Sequence, residues 1–219
     1  MAAHAILSAS GSSKWMNCSG SILAESGMPA DEGSDFAREG TAAHELAEMC
    51  LISQRPPESY IGVEVEGWIV DEEMADHVSK YVDYCNMHTG KKYYELRVDY
   101  SRWAHGGFGT ADCVAVDDGV LNIIDLKYGT GIKVSAQKNS QLMLYGLGAL
   151  EMFGDEVDVV TMTIVQTRLD HIDTYSIRAK DLLKWAEDEV RPAALATMNP
   201  DPTFNPSPTA CRWCRAKPV

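Results

Sequence analysis

Apolar positions first recur at helical spacing between Ser34 and Ile52, where Ala43, Leu46, Ala47, Cys50 and Leu51 share one face behind a Ser34–Asp35 start. Ahead of them, Ser8 to Glu25 reads as a capped short helix carrying Trp15 and Cys18, followed by a Gly/Pro/Asp loop. After Pro56–Pro57 a second amphipathic helix is expected from about Gly67 to His88, with Met74, Val78, Tyr81, Val82 and Cys85 at helical spacing. The period then drops to two. Tyr93 to Tyr100, Phe108 to Val116 and Val120 to Lys127 alternate, and Asp117-Asp118-Gly119 is a tight-turn signal, so these segments predict an antiparallel meander. A helix over Ser135 to Phe153, strands over Val157 to Thr167 and Ile172 to Arg178, and a helix over Lys180 to Met198 complete the pattern. This order predicts an α/β fold, a mixed central β-sheet flanked by helices, and not a βαβ dinucleotide-binding repeat. Residues 1–199 form the expected domain; 200–219 is a Pro-rich tail (Pro200, Pro202, Pro206, Pro208) that carries Cys211-Arg-Trp-Cys214.

The 219 residues, 45% hydrophobic and 23% charged, suit one well-buried domain. No apolar run nears the roughly 18–20 residues that span a bilayer, and Met1 to Ser13 lacks the regions of a signal peptide. A soluble cytoplasmic protein without a membrane partner is therefore expected. The six cysteines are too sparse for a disulfide framework; Cys50, Cys85 and Cys113 sit in apolar-periodic contexts and read as core. The net charge of −13 disfavours a polyanionic partner until its distribution is considered. Lys91 to Tyr145 holds seven Lys/Arg against six Asp/Glu, so the acid excess lies elsewhere.

The chemistry is concentrated in Gly109-Thr-Ala-Asp112 and Asp125-Leu-Lys127. Two strands joined by a short turn can bring Asp112 and Asp125 to one end of a sheet, where paired carboxylates suit a hard cation. Lys127, two residues beyond Asp125, projects from the same face. On its own Asp-x-Lys is an exposed pair as readily as a site. The apolar setting of Val120 to Leu126 argues for a central strand, where charges need compensation. His44, with Gly40 one turn back and Glu48 one turn on, lies at the margin of its helix's apolar stripe; a structural histidine is the alternative. Gln141 and Tyr145 share one helix face, with core packing as their alternative. Glu95 is a weaker supporting acid, and Arg97, Arg102, Lys133 and Lys138 are candidate phosphate contacts.

The order Gly40-x-x-x-His44, Gly109-x-x-Asp112, Asp125-x-Lys127, Gln141-x-x-x-Tyr145 resembles the RecB-like branch of the PD-(D/E)XK nucleases, including a phage and prophage group. The resemblance implies a restriction-endonuclease-like core and Mg²⁺- or Mn²⁺-dependent hydrolysis of DNA, by an exonuclease more than an endonuclease. It makes His44, Asp112, Asp125 and the Leu126 carbonyl metal ligands, Lys127 the residue that supports the attacking water, and Gln141 and Tyr145 contacts to the strand. It also implies an iron–sulfur cluster, for which Cys18, Cys211 and Cys214 are the matching ligands; the fourth cysteine of that pattern is absent, and a redox CxxC or a surface pair is the alternative. The implied setting is DNA recombination or repair beside a single-strand annealing protein, with an oligomer allowed. The rival expectation is an inactive nuclease fold kept as a DNA-binding or scaffolding subunit.

Overall fold

The computed structural model describes residues 5–29 and 33–217, so part of the loop before the first long helix and Val219 lie outside the described residues. The long helices start at side-chain caps. In α3 (Asp35–Ser53) the Ser34 hydroxyl accepts from Ala37 N, and in α4 (Glu72–Met87) Asp71 accepts from Met74 N. The stretch expected as one helix from Ser8 divides into α1 (Ser12–Trp15) and α2 (Ser21–Glu25). Gly67, expected at a helix start, instead turns a small hairpin, β1 (Glu64–Val65) and β2 (Trp68–Ile69), with Glu66 and Gly67 at φ 49° and 73°. Two successive positive φ values make the turn that a tight hairpin needs.

The main sheet runs β3 (Lys91–Asp99), β4 (Phe108–Asp117), β5 (Val120–Leu126), β6 (Val159–Gln166), β7 (His171–Arg178), in that spatial order. All neighbours are antiparallel except β5 and β6. That parallel pair needs a crossover, and α5 (Ser140–Phe153) supplies it. α5 starts five residues later than the apolar pattern suggested. Asn139 caps it by accepting from Gln141 N and Leu142 N, while Ser135 Oγ and Ala136 N are held by Asp173 Oδ2 at 2.8 Å. The last helix runs from α6 (Ala179–Trp185) through a π-turn (Ala186–Val190) into α7 (Arg191–Thr197). Pro192, one residue into α7, has no N–H for the regular ladder, which accounts for the wider turn.

Two cores sandwich the sheet. Leu46, Cys50, Val78, Tyr81 and Cys85 of α3 and α4 meet Cys113, Ile124 and Leu126 on one face. On the other, Leu142, Leu144 and Leu147 of α5, with Leu182 and Val190, meet Val98, Ala111, Leu121 and Ile123. The expected mixed sheet flanked by helices is the observed architecture. No helix among the described residues is long and apolar enough to cross a membrane.

One level of the sheet breaks both the ladder and the alternation. Pairing passes from Tyr94↔Cys113 to Leu96↔Ala111, leaving Glu95 and Asp112 opposite one another but unpaired. Tyr94 and Leu96 should share a face, yet Tyr94 packs with the α3/α4 core and Leu96 with the α5 core. Cys113 and Ala111 divide the same way. Matched irregularities thus invert both strands together and keep their register. Glu95 carries φ 43°, a left-handed conformation costing a side-chain-bearing residue about 1–3 kcal/mol. The β4/β5 ladder ends at Cys113↔Ile124, one position short of Asp112 and Asp125. The sheet therefore opens where its acids stand.

Candidate active site

Asp112 replaces a missing ladder bond with its side chain: the Leu126 N–H donates to Asp112 Oδ2 at 2.7 Å. His44, on the α3 face that looks onto this opening, brings Nδ1 to 3.4 Å from the same oxygen. Glu95 completes the group. One ligand atom each from His44, Glu95 and Asp112 lies within 4.8 Å of the others, the spacing at which one cation can engage all three. A pocket of about 440 Å³ opens over them, lined also by Ala37, Thr41, Glu45 and Glu48.

Electrostatics mark the cluster as short of positive charge. Burial and the neighbouring Asp112 push the Glu95 carboxyl up to about 7. Asp125, buried, is pushed up to about 6; Lys127 opposes that shift and Asp112 adds to it. Burial also disfavours charge on Asp112, yet His44, Lys127 and the Leu126 amide hold it below the usual carboxylate range. In return Asp112 holds His44 above the usual imidazole value against its burial. A divalent cation would favour the charged forms of Glu95 and Asp125, and would take the place of the proton that Asp112 favours on His44.

Asp125 and Lys127 project on the α5 side of β5. Lys127 Nζ lies 2.6 Å from Asp125 Oδ2, so the ammonium compensates this buried carboxylate. Gln141 ties the pair to α5. Its Oε1 accepts from Lys127 at 3.4 Å, and its Nε2 donates to Asp125 Oδ1 at 3.4 Å and to the Tyr145 hydroxyl at 3.0 Å. Tyr145 is buried, its ring packed on Gly109, where a Cβ would meet Cε1 at 2.6 Å. That contact explains Gly109 in Gly-x-x-Asp: the glycine admits the tyrosine ring that steadies Gln141. Beside Gly40 there is open space, so packing does not demand a glycine there.

The structure thus gathers His44, Asp112, Asp125, Leu126, Lys127, Gln141 and Tyr145 at one end of the sheet. The set with mutually close ligand atoms holds Glu95 where the sequence pattern suggests Asp125, and the Leu126 N–H is directed at Asp112. Of the four suggested phosphate contacts, Lys133 and Lys138 line a large groove that reaches Lys127 and Gln141. Arg97 instead stacks on Phe108, 3.7 Å from its ring centroid, and Arg102 pairs with Glu151 at 3.0 Å. Both have nearer partners that a chain-position argument could not weigh.

The cysteines fall into two groups. Cys50, Cys85 and Cys113 are buried in the α3/α4 core, as expected, and are not available as a fourth cluster ligand beside the tail. Cys18 is buried, with Sγ accepting from Asn205 N at 3.3 Å; Cys211 and Cys214 are half-buried. The tail is laced to the N-terminal segment. Gly20 N donates to Thr203 O at 2.9 Å, and Arg215 N to Glu25 Oε1 at 2.8 Å.

Among solved structures, the chain is similar to one titled "Crystal structure of SSO0001", with 16% identity over 95% of this chain and 81% of that one and a TM-score of 0.38, too low to carry an argument about function. The sequence profile of one family, described as protein of unknown function (DUF2800), matches residues 4–219, and the chain belongs to that family.

Proposed function

We propose that the protein is a metal-dependent deoxyribonuclease on a RecB-like PD-(D/E)XK, restriction-endonuclease-like core. The observation that carries this reading is the meeting of a His/Glu/Asp ligand group with Asp125 and Lys127 at the point where β4 and β5 part. The donor set fits a hard divalent ion, and its imidazole favours Mn²⁺ over Mg²⁺. His44, Glu95 and Asp112 would hold the ion, with Asp125 the further carboxylate of the site. A bound ion would supply Lewis-acid charge at the scissile phosphate. Lys127, paired with Asp125, would orient the attacking water and balance negative charge developing on phosphorus-bound oxygen. Gln141 directs Lys127 and Asp125, and Tyr145 fixes Gln141.

Hydrolysis from a strand end, in recombination or repair beside an annealing protein, is the reading of setting that follows from the family resemblance alone. The test is incubation of linear and covalently closed circular DNA with Mn²⁺, Mg²⁺ or EDTA. Loss of linear DNA with metal and survival of closed circles supports an exonuclease. Intact DNA of every form under Mn²⁺ and Mg²⁺ removes the catalytic reading.

A further inference from the structure

Beside the acids lies a feature of opposite character. A groove of about 1370 Å³ runs from Lys127 and Gln141, past the loop Gly129–Ser135, to the C-terminal segment. Its cations are Lys127, Lys133, Lys138 and Arg212; its one acid is Glu189. Lys133, Lys138 and Arg212 have no ion-pair partner among the described residues, in a chain with a net charge of −13. The walls also expose apolar surface. Ile132 is 62% and Trp213 74% exposed, and Trp185 stands on another wall. Arg212 holds its guanidinium 5.4 Å from the Trp213 ring centroid, so a flat cationic and aromatic pair faces the groove.

Cations alone would suit any polyanion. An exposed indole between cations suits one whose apolar faces are free, and a duplex hides those faces in its stack whereas a single strand presents them. We infer that Trp213 and Arg212 form a base-stacking platform for single-stranded DNA, with Lys133 and Lys138 contacting its phosphates on the way to Lys127. The platform lies in the Pro-rich tail, outside the motifs of the proposed catalytic centre. The tail's hydrogen bonds to Gly20 and Glu25 fix it there, so it belongs to the rigid wall of the groove. The choice of DNA rests on the nuclease reading; the platform itself needs no metal.

The experiment measures binding of a fluorescent oligothymidylate dodecamer, and of the same strand in duplex with oligodeoxyadenylate, by anisotropy in EDTA with the full chain. Wild type should prefer the single strand. Trp213→Ala should weaken single-strand binding roughly 5- to 150-fold, the range for loss of one stacked base, and change duplex binding less than twofold. Trp213→Tyr should restore most of the affinity. Quenching of tryptophan emission by the dodecamer should shrink in Trp213→Phe at equal occupancy, which a purely structural role would not produce. Because Trp213 is exposed, melting temperatures of the variants should match wild type. Equal single-strand affinity of wild type and Trp213→Ala, or equal losses on single strand and duplex, would overturn the platform. Trp213-dependent binding in a protein that cleaves no DNA with any metal would uphold the platform and sink the catalytic reading. Cleavage without Trp213 dependence would do the reverse.

Discussion

The acid pocket over Glu95 and Asp112 and the groove beside Lys127 could hardly differ more. The smaller is lined by Glu45, Glu48, Glu95, Asp112 and His44, with no Lys or Arg; the larger gathers Lys127, Lys133, Lys138 and Arg212 against Glu189. One concentrates carboxylates and the other cations, and Lys127 and Gln141 of the groove bridge to Asp125, whose carboxyl feels Asp112 of the smaller pocket. The difference teaches that the net charge of −13 describes neither opening. A nucleic acid would be drawn to the groove and kept from the acids until a divalent ion offsets them, so metal and substrate occupancy should be coupled.

The sharpest way to break this comparison is at the bridge. Lys127→Ala should lower the cleavage rate by about 10²–10³, the usual cost of losing a group that stabilises developing charge. Mn²⁺ affinity, read by calorimetry, should stay within a few-fold, because Lys127 is no ligand. Asp112→Asn should remove cleavage and measurable Mn²⁺ binding together, since Asp112 joins His44, Glu95 and the Leu126 amide. Near wild-type turnover of Lys127→Ala at saturating metal would take Lys127 out of the mechanism.

Next in size is the packing that supports the bridge. A Cβ at Gly109 would meet the Tyr145 ring at 2.6 Å and Ala9 Cβ at 3.2 Å. Gly109→Ala should therefore destabilise the fold by about 1–3 kcal/mol, measured by urea unfolding. Tyr145→Phe, which removes only the acceptor for Gln141 Nε2, should leave stability nearly unchanged and lower turnover. An unchanged rate in that variant would assign Tyr145 to the core alone.

Much of this was legible in the chain, and what was not has definite physical causes. The meander, the crossover helix and both faces of the sheet followed from period-two and helical spacing, because burial selects apolar residues position by position. Asp112, Asp125 and Lys127 were readable since sequence neighbours on a hairpin are spatial neighbours. Glu95 was harder to rank. Its role comes from an unpaired level in two strands and a φ of 43°, which no residue type at that position announces. The groove joins Lys133 to Arg212 and Trp213, and chain spacing carries no information about such a meeting. The shift of the α5 start to Ser140 came from Asp173, a partner 37 residues away that fixes Ala136 before the helix begins.

A smaller, pH-dependent effect separates the acid pocket from the groove. In the metal-free protein Glu95 titrates at about 7 against an ordinary 4.5, and Asp125 at about 6 against 3.8. Both are raised, so the folded state binds protons that the unfolded chain releases. Their contribution to stability is full below about pH 4 and is lost as pH rises to about 7. His44, also raised, acts in the same direction, and the lowered Asp112 acts against it. The melting temperature in EDTA should fall by a few degrees between pH 5.5 and 8. Mn²⁺ should restore it more at pH 8 than at pH 5.5, and Glu95→Gln should flatten the EDTA profile. A Mn²⁺ effect independent of pH would argue that the ion sits elsewhere.

The smallest expected effect tests the groove by charge alone. Lys133 and Lys138 are exposed, line the groove and have no acid partner among the described residues. Each should engage a phosphate and release condensed counterions from the nucleic acid. For a single strand, removing one such cation should change the slope of log affinity against log salt by about 0.7. Lys133→Ala and Lys138→Ala should each reduce the slope by that amount and weaken binding only a few-fold at moderate salt. Mn²⁺ affinity should stay at its wild-type value, because neither lysine lines the acid pocket. Lys180, equally basic but absent from the groove lining, serves as the control: Lys180→Ala should leave the slope unchanged. Equal slope changes for Lys180 and Lys133 would mean that the strand senses only the overall charge. The groove would then have no claim to it.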